Sequence, residues 1–325
     1  TMSKDVERQP LDLSAFPDNL QKHVGPEAPT KMKMMAAQGM VPAPPDQTVR
    51  LLYQLHFDDD DRVVSAVDDA IADLPGNVLG NVIEKAEYAG LLDWIGDRRG
   101  DESSVVEQLL RNQACEDATF VRLGRRADAD TCEIIATNEV RVLRCPEIIE
   151  ALYQNPNARM ATVDQLIELA QRNDVELKNL PGVQRAINAD PEMFREDRES
   201  DEEGLDEESF SEMLQEQAER AKKEEEKLAK LEDDDLTRSQ REELREEIEE
   251  GLDEEDSEKD RPITPGDLQQ MSVPEKIRLA MVGSRSAIKK LVQDSNRLVH
   301  MAAIESPRIK THDVIRISPH TPLPY

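Results

Sequence analysis

Apolar residues between Gln47 and Ile187 recur at helical spacing. Val49, Leu52, Tyr53 and Leu55 form one stripe, and Val63, Val64, Val67, Ala70 and Ile71 form the next, which places one side of each helix in a core. Further stripes predict short helices over 78–86, 91–97, 105–112, 118–126, 132–137, 147–153, 163–171 and 183–187. Helices this short, joined by short loops, cannot bury their apolar faces alone, so stacking has to create the core. Pro44 and Pro45 keep the preceding connection out of helix and predict a helix start near Asp46. Asp58 to Asp61 reads as a loop and helix cap. A calcium loop would need alternating ligands, a central glycine and a terminal glutamate, none of which is in place. Thr162 with Gln165, Ser239 with Glu242 and Ser272 with Glu275 are spaced as capping boxes.

The pattern changes three times along the chain. Residues 1–29 hold Pro, Gly and Asp without a sustained apolar period and read as a mobile arm, ahead of a helical block over 30–190. Residues 191–266 form an acidic linker. Phe210, Leu214, Leu228 and Leu231 are too sparse there for a coiled coil, so isolated solvated helices are expected before Asp233 and over about 240–250, flanked by disorder. Packed-helix character returns over 267–325, in the stripes Ile277, Leu279, Ala280, Met281; Ile288, Leu291; and Leu298, Val299, Ala302, Ala303. A last helix is expected from Thr311 to Ile317. The prolines beyond it stop the chain short of a polar capping helix, which leaves an apolar edge of Val314, Ile315 and Ile317, from truncation or for a partner to cover.

Charge follows these divisions. Of a formal net charge of -29, most lies in 191–260, where 32 acidic residues face 11 basic ones. From Met271 onward, 9 basic residues face 4 acidic ones. So acidic a chain repels phosphates and anionic headgroups and suits basic protein partners. With 3% aromatic residues, the core has to be aliphatic, which suits layered helices better than a sandwich of strands. Without an apolar block of signal or membrane-spanning length, the chain reads as cytoplasmic. Cys115, Cys132 and Cys145, lacking any C-x-x-C pair or fourth thiol, read as buried reduced thiols.

Three stretches share one phrase: an apolar helix end, a turn, polar residues and a cap, then a short helix. They run from Leu109-Leu110-Arg111-Asn112 to Phe120-Val121-Arg122-Leu123, from Leu152-Tyr153-Gln154-Asn155-Pro156 to Leu166-Ile167-Glu168-Leu169-Ala170, and from Ala302-Ala303-Ile304-Glu305-Ser306-Pro307 to Val314-Ile315-Arg316-Ile317. Asp59-Asp60-Asp61-Arg62-Val63-Val64 and Asp294-Ser295-Asn296-Arg297-Leu298-Val299 share an acidic turn followed by an Arg-x-Val-type helix. The chain resembles HEAT-like and leucine-rich-variant helical repeat proteins, including bacterial ones of deltaproteobacterial type. The resemblance covers about 28–189 and 267–317. It implies an all-α fold, an irregular HEAT-like solenoid interrupted by the acidic segment, and a binding role. It implies no substrate. Some leucine-rich-variant proteins carry an iron–sulfur cluster, which these three cysteines do not have the ligands to hold.

Marks of catalysis are missing. Gly76 and Gly80 make no phosphate loop, and neither G-x-S-x-G nor H-E-x-x-H occurs. His23, His56, His300, His312 and His320 are scattered, and His300 lies on an apolar stripe. The expected function is therefore a non-enzymatic scaffold or adaptor without cofactor or metal that binds protein partners. The alternative is a regulatory protein whose acidic segment binds a basic partner or the basic C-terminal repeats in cis. Candidate binding residues are Trp94, a packing anchor or a hot spot, and the basic set Lys276, Arg278, Arg285, Lys289, Lys290, Arg297 and Arg308. Lys310 extends that set. Removing about 196–260 is expected to leave the first block folded.

Overall fold

The computed structural model describes residues 5–191, 193–194, 205–231 and 263–308. Among the described residues regular structure is helical, with no strand, and no helix is long and apolar enough to cross a membrane. The chain divides into two compact units, Thr1–Arg141 and Val142–Tyr325. The division falls inside the block that the sequence pattern treats as continuous, so the helices of 147–189 group with those after 263.

The first unit contains α1 (Asp18–Gln21), α2 (Thr30–Ala37), α3 (Pro45–Leu55), α4 (Asp61–Asp73), α5 (Gly76–Lys85), α6 (Ala89–Arg99), α7 (Ser103–Arg111), α8 (Asp117–Gly124) and α9 (Ala129–Ala136). Local chemistry sets the starts. Pro45 occupies the first turn of α3, where its missing N–H costs nothing. The Asp60 side chain accepts from the Arg62 amide to cap α4, and Asp128 does the same for α9 through Thr131. The acidic run 58–61 is thus a cap.

Every second helix stacks. α2 packs on α4, α3 on α5, α4 on α6, α5 on α7, α6 on α8 and α7 on α9. The stripes meet in the core: Val49, Leu52, Val63, Val67, Leu79, Ile83, Val106, Leu109, Phe120 and Ile135 are all fully buried. Each such side chain contributes roughly 1.5–3 kcal/mol.

Helices this short end against the stack, so several of their last carbonyls are partly or wholly shielded from water and need partners from the protein. Side chains from further along the chain supply them. Arg99 donates to Ile71 O and Leu74 O at 2.5 and 2.9 Å, closing α4. Asn112 donates to Ile83 O and Ala86 O at 2.6 and 2.9 Å, closing α5. Arg126 reaches Asp97 O at 2.8 Å near the end of α6. Arg141 reaches Leu110 O, Asn112 O and Cys115 O at 3.3, 3.1 and 2.8 Å, closing α7. Four consecutive helices are therefore capped from 25 to 31 residues away, about the length of one helix pair with its loops.

The second unit contains α11 (Glu147–Gln154), α12 (Met160–Arg172), α13 (Pro181–Ala189), α14 (Glu207–Leu231), α15 (Pro265–Gln270), α16 (Val273–Val282), α17 (Arg285–Leu291) and α18 (Arg297–Ile304), and α10 (Glu139–Arg144) spans the division. α16 packs on α11, α14, α17 and α18, and α13 packs on α18. At that last crossing a Cβ on Gly182 would stand 2.8 Å from Ala302 Cα, so only glycine permits the approach. Ser272 and Glu275 form the expected capping box. Thr162 does not cap: α12 starts at Met160, leaving Thr162 in the first turn, buried.

Two expectations change. Far from being free, the segment after Asp5 sends Val6, Phe16, Leu20 and Val24 into the first unit, where all are buried. The helix before Asp233 is present as α14, yet Phe210, Leu214, Gln217 and Ala221 on one face of it are at most 1% exposed. Three turns of a stripe suffice to dock on an existing surface, although they fall short of a coiled coil. The expected helices over 240–250 and from Thr311 to Ile317, with its apolar edge, lie outside the described residues, as do Ser239, Lys310 and residues 195–204 and 232–262 of the acidic segment.

Candidate functional site

Trp94 is wholly buried, with the rings of Tyr53 and His56 at 5.7 and 5.8 Å; it anchors packing and offers no surface. The basic set of the second unit does not form one open face. Arg278 is 1% exposed and donates to Asn155 O at 3.0 Å and Ala158 O at 2.5 Å, the same carbonyl-closing task that Arg99 and Arg141 perform. Lys276 pairs with Asp294 at 3.1 Å. Lys290 Nζ donates to Ile263 O at 2.5 Å. Arg308 lies 3.6 Å from Glu225, and the Arg285 amide donates to Glu224 Oε2 at 3.0 Å. Lys289 is half-buried and Arg297 exposed.

Two histidines elsewhere are bonded to backbone carbonyls. His300 Nδ1 stands 2.5 Å from Val292 O, and His23 Nδ1 3.2 Å from Met32 O. The three cysteines are buried, and burial pushes the Cys115 thiol up to about 12.

A denser constellation lies in the first unit, where α4, α6 and α8 succeed one another. Asp93, on α6, has a side chain 1% exposed. Its Oδ1 accepts from Thr119 Oγ1 at 2.7 Å and Arg122 at 2.8 Å, while its Oδ2 accepts from Arg8 Nε at 2.6 Å. One turn on, Asp97 takes Arg8 at 3.2 Å, Arg98 at 3.3 Å and Arg126 at 3.2 Å. Burial acts to raise the Asp97 carboxyl, but Arg8, Arg122 and Arg126 outweigh it and hold it below the usual carboxylate range. Arg98 extends the network to Asp68 at 2.8 Å. Burial, then Arg98, lowers the neighbouring His56 imidazole below its ordinary value.

Arg8 enters this network from the non-helical segment at the start of the described chain. Pro10 biases Gln9 towards extended geometry. Gln9 O accepts from the hydroxyls of Tyr53 and Tyr88 at 3.0 and 3.3 Å, and the Leu11 amide donates to Gln54 Oε1 at 2.7 Å. Gly90 makes room for the passing backbone, since a Cβ there would stand 3.1 Å from Glu7 O and 2.9 Å from Tyr53 Oη. The segment is thus held through its main chain plus one arginine and the buried Val6.

Sequence reasoning singled out none of Arg8, Gln54, Tyr88, Asp93 or Asp97 as a site residue. The signal available was Val6-Glu7-Arg8-Gln9-Pro10-Leu11, a polar stretch with one arginine ahead of a proline, which reads as an extended ligand only once a receiving surface is known. No family model, curated protein or solved structure matches the chain.

Replacing Asp93 by Ala strips Arg8, Thr119 and Arg122 of a shared buried acceptor and is expected to cost about 3–5 kcal/mol. Asp68→Ala, at a pair whose side chains are 27% and 44% exposed, should cost under about 1 kcal/mol. Denaturant unfolding of both variants checks the contrast; equal losses would refute it.

Proposed function

We propose that the protein is a non-catalytic, cytoplasmic scaffold or adaptor, a solenoid of HEAT-like helix pairs that presents its surface to segments of other proteins. The observation that carries this reading is the binding of a non-helical stretch of chain, through its backbone by side chains of α3 and the turn between α5 and α6, and through Arg8 by a carboxylate of α6. Alternate-helix stacking and the recurring caps support a repeat architecture. A thiol held protonated by burial and imidazoles bonded to carbonyls suit packing better than catalysis. The large negative charge favours basic partners.

Panning the full-length chain against a random library of soluble 12-residue peptides tests this. Enriched extended peptides that compete for one surface, and lose binding on Gln54→Ala, are expected. No enrichment beyond that on an unrelated protein of equal net charge would overturn the reading.

A second reading, regulation by the acidic segment in cis, is favoured by the docking of α14. Gln217 Oε1 accepts from Ser284 Oγ at 2.7 Å, and Glu224 and Glu225 meet Arg285 and Arg308. Burial raises the Glu224 carboxyl above its ordinary value, against the lowering effect of the Arg285 amide and nearby arginines. At neutral pH its ionised form therefore weakens docking. Stability should rise as pH falls from neutral through the raised value towards 4.5, because there the folded state binds the proton and the unfolded state does not. Glu224→Gln should slow amide exchange across α14 by several-fold at pH 7 and flatten this pH dependence, after correction for intrinsic rates. Unchanged or faster exchange would count against it.

A further inference from the structure

The segment 6–11 is bound in the manner of a peptide ligand. Four features of the first unit meet it: Gln54, at the Leu11 end; the paired hydroxyls of Tyr53 and Tyr88, on the Gln9 carbonyl; the side-chain-free Gly90, beside the Glu7 carbonyl; and the Asp93–Asp97 pair, around Arg8. Three of the four act on the backbone and would take any extended chain. The fourth is selective. Arg8 presents Nε to Asp93 and Nη1 to Asp97, a use of the guanidinium fork that a lysine ammonium cannot copy. Asp93 Oδ2 is bonded by Arg8, while the other acceptor oxygen is already taken by Thr119 and Arg122.

The hold on this segment is slight in apolar terms. Of residues 5–12 only Val6 is buried; Glu7, Gln9 and Pro10 are exposed. A stretch held by a few polar anchors and one small apolar side chain opens at low free energy compared with the core. Its advantage is tethering, which gives an effective concentration of millimolar order.

We propose that this groove is a receptor for an extended, arginine-bearing segment of a partner protein, and that residues 6–11 are its intramolecular occupant. The proposal rests on the scaffold reading and names its ligand. The partner's arginine takes the place of Arg8 between Asp93 and Asp97, its carbonyl one residue later takes the two tyrosine hydroxyls, and the following amide but one takes Gln54. The paired carboxylates of Asp93 and Asp97 supply the local charge that such a cationic segment meets. The occupant keeps the groove closed to weak ligands, so that a partner has to exceed the tethered segment to enter.

The test uses the full-length chain, wild type and Arg8→Ala, with a fluorescein-labelled peptide of residues 5–12 read by anisotropy. Arg8→Ala lies in the occupant and leaves the groove intact. The variant should bind the peptide at least ~10-fold more tightly than wild type, whose own segment competes. A peptide with alanine at the arginine position should lose ~10-fold or more, and one with lysine should bind less tightly than the arginine form. Gln54→Ala added to Arg8→Ala should weaken binding. Absence of saturable binding to Arg8→Ala, equal binding of the alanine peptide, or equal binding by wild type would each overturn the proposal. Dimerisation of the wild-type chain that the peptide reverses would assign the groove to the segment of a second copy instead, and would also overturn it. Should peptide panning yield ligands while this peptide fails, the scaffold reading stands and the arginine receptor falls.

Discussion

Short helices stacked in layers leave several of their C-terminal carbonyls partly or wholly shielded from water, and the rest of the first unit follows from how those carbonyls are bonded. A buried carbonyl without a donor costs on the order of 1–3 kcal/mol, and each helix brings several. The chain meets this with Arg99, Asn112, Arg126 and Arg141, each reaching back about one helix pair. The reach sets the spacing between successive pairs, so that α4, α6 and α8 succeed one another and Asp93 and Asp97 come within range of Arg122 and Arg126. The same device recurs in the second unit, where Arg278 closes the turn after α11. There it converts a residue that reads as part of a basic surface into part of the interior.

Much of the helical framework was legible because aliphatic stripes at three-and-four spacing have a single reading when they are short and closely joined. The stripe of α3 is buried throughout, while in α4 Val63, Val67 and Ile71 are buried and Val64 and Ala70 half-buried. Caps were legible where an Asp or Ser precedes a stripe, as at Asp60 and Ser272, and misleading at Thr162, where the helix begins before the capping signature. Long-range polar contacts were not legible, because nothing local distinguishes the Arg99 guanidinium, which is buried, from that of Arg125, which is exposed.

The candidate site was hidden for a related reason. An extended segment has no periodicity of its own, and Val6 to Leu11 gains meaning only against Tyr53, Tyr88 and Gly90, which lie dozens of residues away. The acidic segment shows the opposite error. Its charge dominates any composition count, yet four positions on one face of α14 decide where that helix sits, and the acidic side chains that matter are the few at its contact with α17, Glu224 among them.

Native-state hydrogen exchange of the full-length chain on replacing Asn112 by the near-isosteric Leu tests the carbonyl-capture constraint most directly. Asn112 lies at the end of α7, but its donors close α5. If capture between helix pairs holds the stack together, the opening free energies of α5 and α7 should fall together, by about 1–3 kcal/mol. A loss confined to the residues around position 112, with α5 unchanged, would contradict it.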